Sequence, residues 1–297
     1  MNKLLKNFLN PLKIVKAIKY QKNQKKHVKE RKDLELMLYS QILENDSLHY
    51  GYFENKDIAP ETISIKQIED AQLKYLEIII GKITKKDLAI LDVGCGMGAL
   101  ANLLLKNNLK VEALTPDNNQ FEYILKKYGN KFLCHNLKFE DFSSEKKFGT
   151  VINAESFQYI NLDKSFEILD KILLDNGKWI IVDYFRIKKE GKNKSGHFLN
   201  DFIKKTIEKN WKISYVKDIT ENIMPTLKFV NMYAERILKP VINYASEKLK
   251  YKKPWLYNIS EDLRSSVDKK FDKELSGIDP NKFLEEKKYM FFVLEKI

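Results

Sequence analysis

Short apolar runs alternate with longer amphipathic stretches through the middle of the chain. The apolar runs have the length of buried β-strands and cover residues 88–93, 111–114, 131–135, 148–153, 178–184, 211–219 and 288–296. Between them, apolar residues recur at helical spacing, as they do over residues 63–83, 99–105, 166–173 and 198–208. Because strands that alternate with helices build a largely parallel sheet, the pattern predicts an α/β fold.

Residues 1–30 have the pattern of a basic amphipathic helix, with lysines between apolar residues at helical spacing. Such a helix can lie in a membrane interface, here through residues 1–20, and the stretch lacks the uninterrupted apolar segment of a signal peptide. The alternatives are a helix that packs on its own domain and a lid over a substrate. We therefore divide the chain into an N-terminal helix, residues 1–33, and a main domain, residues 34–297, whose first helix is expected over residues 34–43.

A second long helical region, residues 225–287, separates the sixth predicted strand from the last. Its pattern is interrupted at Pro254, because proline ends or kinks a helix. Residues 175–177, Asp-Asn-Gly, predict a turn into the fifth strand. We expect the core of the main domain to comprise residues 84–220 and 288–297, with the helical region inserted between them.

The chain is basic, with 53 lysine and arginine residues against 41 aspartate and glutamate residues and a net charge of +12. This balance favours anionic partners such as a membrane, a nucleic acid or an acidic substrate, although heavy use of lysine, asparagine and isoleucine is also typical of an AT-rich genome. The two cysteines, Cys95 and Cys134, form no C-x-x-C pair, so we expect no zinc site and a reducing cytoplasm. No apolar run reaches the roughly 20 residues that span a bilayer.

The strongest signal lies directly after the first strand of the predicted sheet. Asp92 precedes three glycines at alternate positions, Gly94, Gly96 and Gly98, and a helical pattern begins at Ala99. Glycine lets the backbone turn sharply and lets a ligand approach the main chain closely. The N-terminus of the helix behind the loop offers N–H groups and the positive end of a dipole. The stretch therefore predicts a ligand-binding loop.

The spacing Asp-x-Gly-x-Gly-x-Gly differs from the dinucleotide fingerprint and resembles motif I of the class I S-adenosylmethionine-dependent methyltransferases. In that family the loop holds the methionine part of the cofactor. The resemblance implies a Rossmann-like, doubly wound sheet that is mostly parallel and has an antiparallel last strand. It also implies that S-adenosyl-L-methionine is bound by Asp92, Gly94, Cys95, Gly96 and Gly98. A dinucleotide site and an ordinary glycine-rich turn are the alternatives.

Four ring-bearing residues cluster within residues 47–53, which read Ser-Leu-His-Tyr-Gly-Tyr-Phe. The stretch resembles the L-H-Y-G-Y-F/W segment upstream of motif I in the small-molecule branch, which includes cyclopropane-fatty-acid synthases and type 11 methyltransferases. In those enzymes the segment folds over the cofactor and forms part of the substrate mouth. The resemblance therefore places His49 and Tyr50 near the methionine end of the cofactor. The alternative is an aromatic cluster that only packs.

The turn after the second predicted strand differs from the common form of the family, in which an acidic residue binds the ribose. Residues 115–120, Thr-Pro-Asp-Asn-Asn-Gln, resemble instead the form found in the cyclopropane-synthase branch. On that basis Thr115 and Gln120 are expected to bind the ribose. Asp117 competes with them, and its other possible role is to cap the following helix.

Two further strands are expected to end at the same crevice, where open α/β sheets bind their ligands. Asn136 and Leu137 follow the third predicted strand, and the resemblance places them at the adenine, whose edge an asparagine can hydrogen-bond. Residues 139–140, Phe-Glu, are an alternative for this role. Asp183 and Tyr184 end the fifth predicted strand.

Residues 154–160, Ala-Glu-Ser-Phe-Gln-Tyr-Ile, resemble the E-S-x-x-H segment that forms the floor beside the transferred methyl group in the family. Glu155 is therefore expected both at the cofactor and at the reacting atoms. Tyr159 stands where the family has histidine. Because tyrosine ordinarily titrates near about pH 10, it is a poorer general base, although it can orient a substrate hydroxyl or carboxylate. The candidate catalytic residues are Tyr50, Glu155 and Tyr159.

Together these features predict methyl transfer from S-adenosyl-L-methionine to a small, apolar or lipid-like acceptor, at oxygen, nitrogen or carbon. The aromatic segment, the basic N-terminus and the helical insertion favour such an acceptor, and the resemblance implies that the insertion forms a lid over the substrate. Since the bicarbonate-binding pattern of the cyclopropane synthases cannot be traced, simple methylation is favoured over cyclopropanation. We expect no metal and no nucleic-acid partner, and a location in the cytoplasm or at the inner surface of its membrane.

Two other functions compete with this interpretation. The basic charge suggests an RNA or protein methyltransferase, but the chain has neither an N-P-P-Y-like tetrapeptide nor a Pro-Cys pair. The second is a membrane-associated protein that binds the cofactor without catalysis. The departures from the family pattern at Tyr159 and Asn136 favour this alternative. A methyl-release assay separates an enzyme from a protein that only binds the cofactor.

Overall fold

A computed structural model describes residues 10–26, 42–189 and 195–296. The chain divides into two units, Met1–Ile42 and Leu43–Ile297. In the first unit, helix α1 spans Pro11–Lys26 and leaves Leu12 and Val15 exposed. The helix expected over residues 34–43 and the boundary expected after residue 33 fall almost wholly outside the described ranges.

Seven strands form a single sheet in the described part of the second unit. They are β1 Ile90–Val93, β2 Val111–Leu114, β3 Leu133–His135, β4 Phe148–Ala154, β5 Leu173–Arg186, β6 Trp211–Asp218 and β7 Lys287–Lys296. Their order is β3-β2-β1-β4-β5-β7-β6, in which β1 to β5 are parallel and β7 is antiparallel to both neighbours. This arrangement confirms the predicted Rossmann-like fold with an antiparallel last strand.

Helices cover both faces of the sheet. They are α2 Ile65–Ile80, α3 Ala99–Lys106, α4 Asn118–Tyr128, α5 Leu162–Ile172 and α6 Leu199–Glu208, with short 3-10 turns at Pro60–Thr62, Phe139–Asp141 and Phe157–Tyr159. Successive strand residues point to opposite faces, so Ile90 and Leu91 enter different cores. One core holds α2, α3 and α4, and the other holds α5 and α6. Burial on both faces explains why these strands read as continuous apolar runs.

The helical insertion begins earlier than the sequence predicts. Helix α7 spans Thr220–Tyr233 and contains Pro225, which we expected to lie before the helix. A proline inside a helix removes one backbone hydrogen bond. Its neighbours Ile223, Met224 and Leu227 are buried in the core that holds α2, and their packing keeps this part of α7 helical.

The remainder of the insertion is helical, as predicted. A π-helical segment, Ala234–Leu238, leads into α8 Lys239–Lys252, followed by α9 Pro254–Ile259, α10 Glu261–Gly277 and α11 Pro280–Glu286. The break at Pro254 is where the sequence predicts it. No helix in the described ranges combines the length and the apolarity that crossing a membrane requires.

The turn predicted at residues 175–177 lies within β5, as an irregularity rather than a separate turn. Leu173 pairs with Phe148 and Lys178 pairs with Thr150, so the residues between Leu173 and Lys178 bulge out of the ladder. The strand therefore starts before the Asp-Asn-Gly signal instead of after it.

Candidate functional site

A cavity of about 340 Å³ lies at the carboxyl ends of β1, β2 and β4. In the strand order, β2 lies on one side of the neighbouring pair β1 and β4, and β5 lies on the other side. The chain therefore turns toward opposite edges of the sheet when it leaves β1 and β4. Such a switch point is where open α/β sheets bind ligands. The lining comes from the loop after β1, the turn after β2, the segment after β4 and residues 46–49.

The glycine loop gives the cavity its backbone wall. Gly94 and Gly96 have φ values of +73° and +56°, in the left-handed region that glycine adopts without strain. A Cβ at Gly94 would lie 2.3 Å from the Cβ of Ser156, so this glycine is required for close packing. A Cβ at Gly96 would meet only Leu48, at 3.5 Å, and both residues line the cavity. Gly96 is therefore the position where a side chain would enter the cavity.

Two buried hydrogen-bond acceptors on the cavity lining have no partner among the described residues. One is Oδ2 of Asp92, whose pKa is raised to about 7 by burial. The other is Nε2 of His49. Nδ1 of His49 lies 2.8 Å from the carbonyl oxygen of Tyr50, which can only accept, so Nδ1 carries the proton. Burial lowers the pKa of His49 to about 4, and Nε2 of the neutral ring is consequently an acceptor.

These two acceptors test the fit of the implied cofactor. An unpaired buried acceptor is costly, so both positions favour a ligand with N–H donors. The α-ammonium group of S-adenosyl-L-methionine offers three donors. Asp92 and His49 each need a hydrogen-bond donor, and Gly96 leaves space at the cavity wall. Both features fit the methionine end of that cofactor.

Residues 46–53, here termed the aromatic strap, are tied to α4 at one end. Asp46 is buried, and its carboxylate accepts hydrogen bonds from the hydroxyls of Tyr123 at 2.6 Å and Tyr128 at 2.5 Å. Lys127 forms an ion pair with the same carboxylate at 2.5 Å. Three partners from one helix therefore compensate the buried charge of Asp46.

The rest of the aromatic strap is held by α2 and α7. Nε2 of Gln72 donates to the carbonyl oxygens of Ser47, at 3.2 Å, and His49, at 2.8 Å. Further along, the backbone N–H of Phe53 donates to Asn222 O at 2.9 Å. The His49 ring also stacks on Tyr75 with centroids 4.3 Å apart. The strap is thus a fixed wall of the cavity.

Glu155 lies at the floor of the cavity in an unusual backbone conformation. Its φ of +54° is uncommon for a residue with a side chain. Its carboxylate accepts hydrogen bonds from the backbone N–H of Tyr50, at 2.8 Å, and from the hydroxyl of Tyr289. Burial raises the pKa of Glu155 to about 8, against the effect of these two donors. At neutral pH the group is therefore mostly protonated, and it ionises as the pH rises through about 8.

Behind Glu155, two tyrosine hydroxyls continue the hydrogen-bond chain into the core. The hydroxyl of Tyr289 lies 3.1 Å from that of Tyr75, which donates to Val182 O at 3.1 Å. Burial raises the pKa values of both tyrosines well above the ordinary value. This series of hydrogen bonds ends at the carbonyl oxygen of Val182. It therefore orients Glu155 but offers no route for a proton to solvent.

Tyr159 lies on the 3-10 turn after Glu155 and is 76% exposed. The turn is fixed by Asp183, which accepts from the backbone N–H groups of Gln158, at 2.9 Å, and Tyr184, at 2.8 Å. Burial raises the pKa of Asp183 to about 7. Partial burial and the neighbouring carboxyls Asp183 and Glu155 raise the pKa of Tyr159, so even less of it is ionised at neutral pH than of an ordinary tyrosine.

The turn after β2 joins Thr115 to Gln120 directly. The Thr115 hydroxyl is buried and donates to Oε1 of Gln120 at 2.7 Å. Asp117 caps α4, accepting from Gln120 N at 2.9 Å, which is the second role considered for it. Both Thr115 and Gln120 line the cavity, and Thr115 holds the Gln120 amide in place.

Other expected site residues lie around the cavity rather than on its lining. Nδ2 of Asn136 donates to Thr115 O at 3.1 Å, and Leu137 packs against the core that holds α5. Gly98 is the N-cap of α3, and Tyr50 packs near Tyr289 with ring centroids 6.0 Å apart. The residues that reach the lining are His49, Asp92, Gly94, Cys95, Gly96, Thr115, Gln120, Glu155 and Tyr159.

Several lining residues were not expected from the sequence. They are Asp46, Ser47, Leu48, Leu76, Met97, Ala99, Leu100, Pro116, Ala154, Ser156 and Gln158. Asp117, which the sequence offers as an alternative ribose ligand, lies on the lining as well. For Asp46 and Leu76 no local signal exists, because their positions depend on contacts with distant parts of the chain.

Comparison with known proteins decides the family. The family model of the mycolic acid cyclopropane synthetases matches residues 19–273 of the chain. The chain belongs to this family. Membership confirms the predicted class, an S-adenosylmethionine-dependent methyltransferase of the cyclopropane-synthase branch. No curated protein matches the sequence significantly.

Solved structures agree with this cyclopropane synthetase fold. The cyclopropane synthase MmaA2 from Mycobacterium tuberculosis superposes with a TM-score of 0.60 at 14% identity, covering 87% of this chain and 93% of that one. Geranyl diphosphate C-methyltransferase from Streptomyces coelicolor A3(2), in complex with Mg²⁺, geranyl-S-thiolodiphosphate and S-adenosyl-L-homocysteine, gives 0.61 at 13% identity, covering 94% and 98%. The [4+2]-cyclase SpnF gives 0.60 at 12% identity, covering 87% and 92%.

Proposed function

We propose that this cyclopropane synthetase family member binds S-adenosyl-L-methionine in the cavity beside β1 and methylates a small, apolar or lipid-like acceptor. The observation that carries the proposal is the pair of unpartnered buried acceptors, Asp92 Oδ2 and His49 Nε2, on the lining of the same cavity as Gly96. A cavity wall of glycine backbone beside two unpaired buried acceptors fits the amino-acid part of a ligand. S-adenosyl-L-methionine, when bound, supplies a methyl group already activated on a sulfonium.

We assign the cofactor contacts residue by residue. Asp92 and His49 accept from the α-ammonium group, and the backbone of Gly94, Cys95 and Gly96 faces the rest of the methionine end. Gln120, oriented by Thr115, binds the ribose hydroxyls, since its amide group is both a donor and an acceptor. This assignment is supported by the presence of all these residues on the lining of one cavity.

The adenine contacts are less direct than the resemblance implies. Asn136 uses its Nδ2 group on the backbone of Thr115, and neither Asn136 nor Leu137 lies on the cavity lining. Leu137 follows it at the end of β3. We propose that these two residues shape the adenine end from behind Thr115 rather than from the cavity wall.

Glu155 is the residue we propose at the reacting atoms. In its ionised form, which is the minor one at pH 7 because the pKa is about 8, the Glu155 carboxylate can take up a proton, as methylation of a hydroxyl, an ammonium group or an acidic C–H requires. Tyr50 and Tyr289 hold it in one orientation through its hydrogen bonds. Tyr159, exposed at the edge of the cavity, orients the acceptor instead of removing its proton.

The acceptor class rests on the surroundings of the cavity and on the relatives. The cavity lining includes the apolar side chains of Leu48, Leu76, Met97 and Leu100 and the ring of Tyr159. Geranyl diphosphate, an isoprenoid, is the ligand in one related structure, and a second relative is a cyclopropane synthase. These observations support an acceptor with a long apolar portion and methylation of one of its atoms.

Peripheral membrane contact through residues 1–20 is a further part of the proposal. Helix α1 leaves Leu12 81%, Val15 61% and Ile18 49% exposed, and lysines lie between these residues. Apolar side chains flanked by lysines suit the surface of an anionic bilayer. Deleting residues 1–30 is expected to lower binding to anionic vesicles, and unchanged binding would reject this role.

One experiment tests the function as a whole. The full chain is incubated with methyl-labelled S-adenosyl-L-methionine and a total lipid extract, and labelled products are identified by mass spectrometry. We expect label in an apolar or lipid-like product, with release of S-adenosyl-L-homocysteine. The Glu155→Gln variant is the matched control, because it keeps the side-chain volume and loses the proton acceptor. Label in RNA or protein alone would overturn the proposed acceptor class.

A further inference from the structure

The helical insertion presents a continuous exposed stripe that the cavity does not use. Backbone angles at Tyr233, Ala234, Leu238 and Lys239 are all helical, so α7, the π-helical segment and α8 form one unbroken helix. Its first part is buried against the core, whereas α8, α9 and α10 contain no buried residue. The outer half of this helix therefore extends away from the core that anchors it.

The exposed stripe, here termed the α8 stripe, consists of Ile237, Val241, Tyr244, Lys248 and Tyr251. These residues follow one another at spacings of four and three, which places them on a single helix face. The apolar and aromatic members are 47%, 57%, 65% and 88% exposed in chain order. The opposite face carries Ile242 and Leu249, which are half-buried, so the stripe is the outward face of α8.

The charge around the stripe identifies what it binds. Residues 239–253 contain five lysines and one glutamate. Nζ of Lys248 lies 5.3 Å from the centroid of the Tyr244 ring, and Lys252 directly follows Tyr251. Tyrosine prefers the boundary between water and hydrocarbon, and lysine extends its charge toward phosphate groups while its stem covers apolar surface. A second copy of the chain is a poorer partner, because it would bring Lys248 against its own counterpart.

We propose that the α8 stripe docks the enzyme on the surface of an anionic lipid bilayer. Val241, Tyr244 and Tyr251 enter the interface, and Lys248 and Lys252 contact the headgroups. The docking surface lies on the helix whose first part hydrogen-bonds to the aromatic strap, through Asn222 and Phe53. The inference concerns binding alone and does not depend on methyl transfer.

The chain contains its own reporter for this docking. Of its three tryptophans, Trp179 and Trp211 are buried, 0% and 2% exposed, and Trp255 lies half-buried on α9 directly after α8. A change in tryptophan emission on adding vesicles therefore reports on the insertion. We expect a blue shift with vesicles of mixed phosphatidylcholine and phosphatidylglycerol, none with phosphatidylcholine alone, and loss of the shift in the Trp255→Phe variant.

Vesicle sedimentation of the full-length protein gives the quantitative test. We expect the double variants Lys248→Gln/Lys252→Gln and Tyr244→Ser/Tyr251→Ser each to lower the partition coefficient onto anionic vesicles by about tenfold or more. The matched control, Lys106→Gln/Lys126→Gln, removes the same charge from exposed sites on α3 and α4 and is expected to have a much smaller effect. Circular dichroism verifies that each variant remains helical.

Three outcomes would overturn the proposal. Full-length protein that does not sediment with anionic vesicles rejects membrane docking altogether. Sedimentation that the stripe variants leave unchanged, but that deletion of residues 1–30 abolishes, assigns docking to the N-terminal segment instead. A dimer that dissociates in the Tyr244→Ser/Tyr251→Ser variant, measured by analytical ultracentrifugation, assigns the stripe to self-association.

Discussion

The carboxylate of Glu155 accepts a hydrogen bond from the backbone N–H of Tyr50 at 2.8 Å, across 105 residues of sequence. The contact joins the segment after β4 to the aromatic strap, so the floor and one wall of the cavity share a bond. The same carboxylate holds the hydroxyl of Tyr289. Glu155 therefore has two tasks, which are to fix the strap and to present an ionisable group to the cavity.

Replacing Glu155 with glutamine separates these two tasks. Glutamine retains an oxygen that accepts from Tyr50 N–H, but it cannot take up a proton. We expect kcat to fall by about a hundredfold or more, the low end of general-base contributions, while the Kd for S-adenosyl-L-homocysteine changes little. Steady-state kinetics and calorimetry measure the two effects. Glu122→Gln, at an exposed site on α4, is the control, and full activity of Glu155→Gln would remove the residue from the mechanism.

The stability of the protein is expected to fall as pH rises from 6.5 to about 8. Burial raises the pKa values of Asp92 and Asp183 to about 7 and that of Glu155 to about 8. The folded state therefore holds protons that the unfolded state has released, and the stability they confer is lost as these groups ionise. The pKa of His49 is lowered, so His49 makes stability rise with pH instead, but only below pH 6.5.

Thermal unfolding across this pH range checks the prediction. The Tm should decrease steadily from pH 6.5 to about 8, and Asp183→Asn should flatten the slope because it removes one of the three titrating groups. Asp87→Asn, at an exposed site, should leave the slope unchanged. A Tm that rises over the same range would show that the three carboxyls are not held in protonated form.

Gln120 and Asp117 should respond differently to removal although they stand three residues apart. Gln120→Ala is expected to weaken S-adenosyl-L-homocysteine binding by about tenfold, the value of one hydrogen-bonding group to a ligand. Thr115→Val should weaken it less, because Gln120 remains and valine removes only the two hydrogen bonds of the Thr115 hydroxyl, the one that orients Gln120 and the one from the N–H of Asp117. Asp117→Ala should destabilise the fold by about 1 kcal/mol through the lost cap of α4 and leave the ribose contact in place. Equal Kd values for all three variants would reject the ribose assignment.

Asp46 is expected to control the position of the aromatic strap. Asp46→Asn keeps the size of the side chain but loses the charge that Lys127 and the hydroxyls of Tyr123 and Tyr128 surround. We expect a loss of roughly 1–3 kcal/mol in stability, because a buried network is left partly unsatisfied. Limited proteolysis should show faster cleavage within residues 43–53. Tyr123→Phe, which removes one of the three partners, is expected to have a smaller effect.

The sequence predicts the fold well where local pattern and burial agree. The run of residues 111–114 coincides with β2, and the glycine loop, the helix behind it and the last strand all lie where predicted. It fails where packing overrides a local signal. Pro225 reads as a helix boundary, yet α7 continues through it because its neighbours are buried.

The cavity is only partly predictable for a related reason. Asp92, Gly94 and Gly96 lie together in sequence and in space. The hydroxyl of Tyr128 reaches Asp46 across 82 residues, and Tyr289 reaches Glu155 across 134, so no local pattern predicts either contact. Thr115 was expected to bind a ligand, whereas its hydroxyl is already used on Gln120, a pairing that depends on how the turn after β2 folds.

The central claim is that the loop at Gly96 forms the wall of an S-adenosyl-L-methionine site, and calorimetric titration of two glycine variants tests it most directly. Gly96 and Gly129 both have positive φ values, +56° and +58°, so alanine strains the backbone at either position, but only Gly96 lies on the cavity, and a Cβ at Gly129 meets nothing within 4 Å. We predict that Gly96→Ala raises the Kd for S-adenosyl-L-homocysteine by about tenfold or more while Gly129→Ala leaves it unchanged. Equal affinity in the two variants, or no binding by the unaltered protein, would contradict the account.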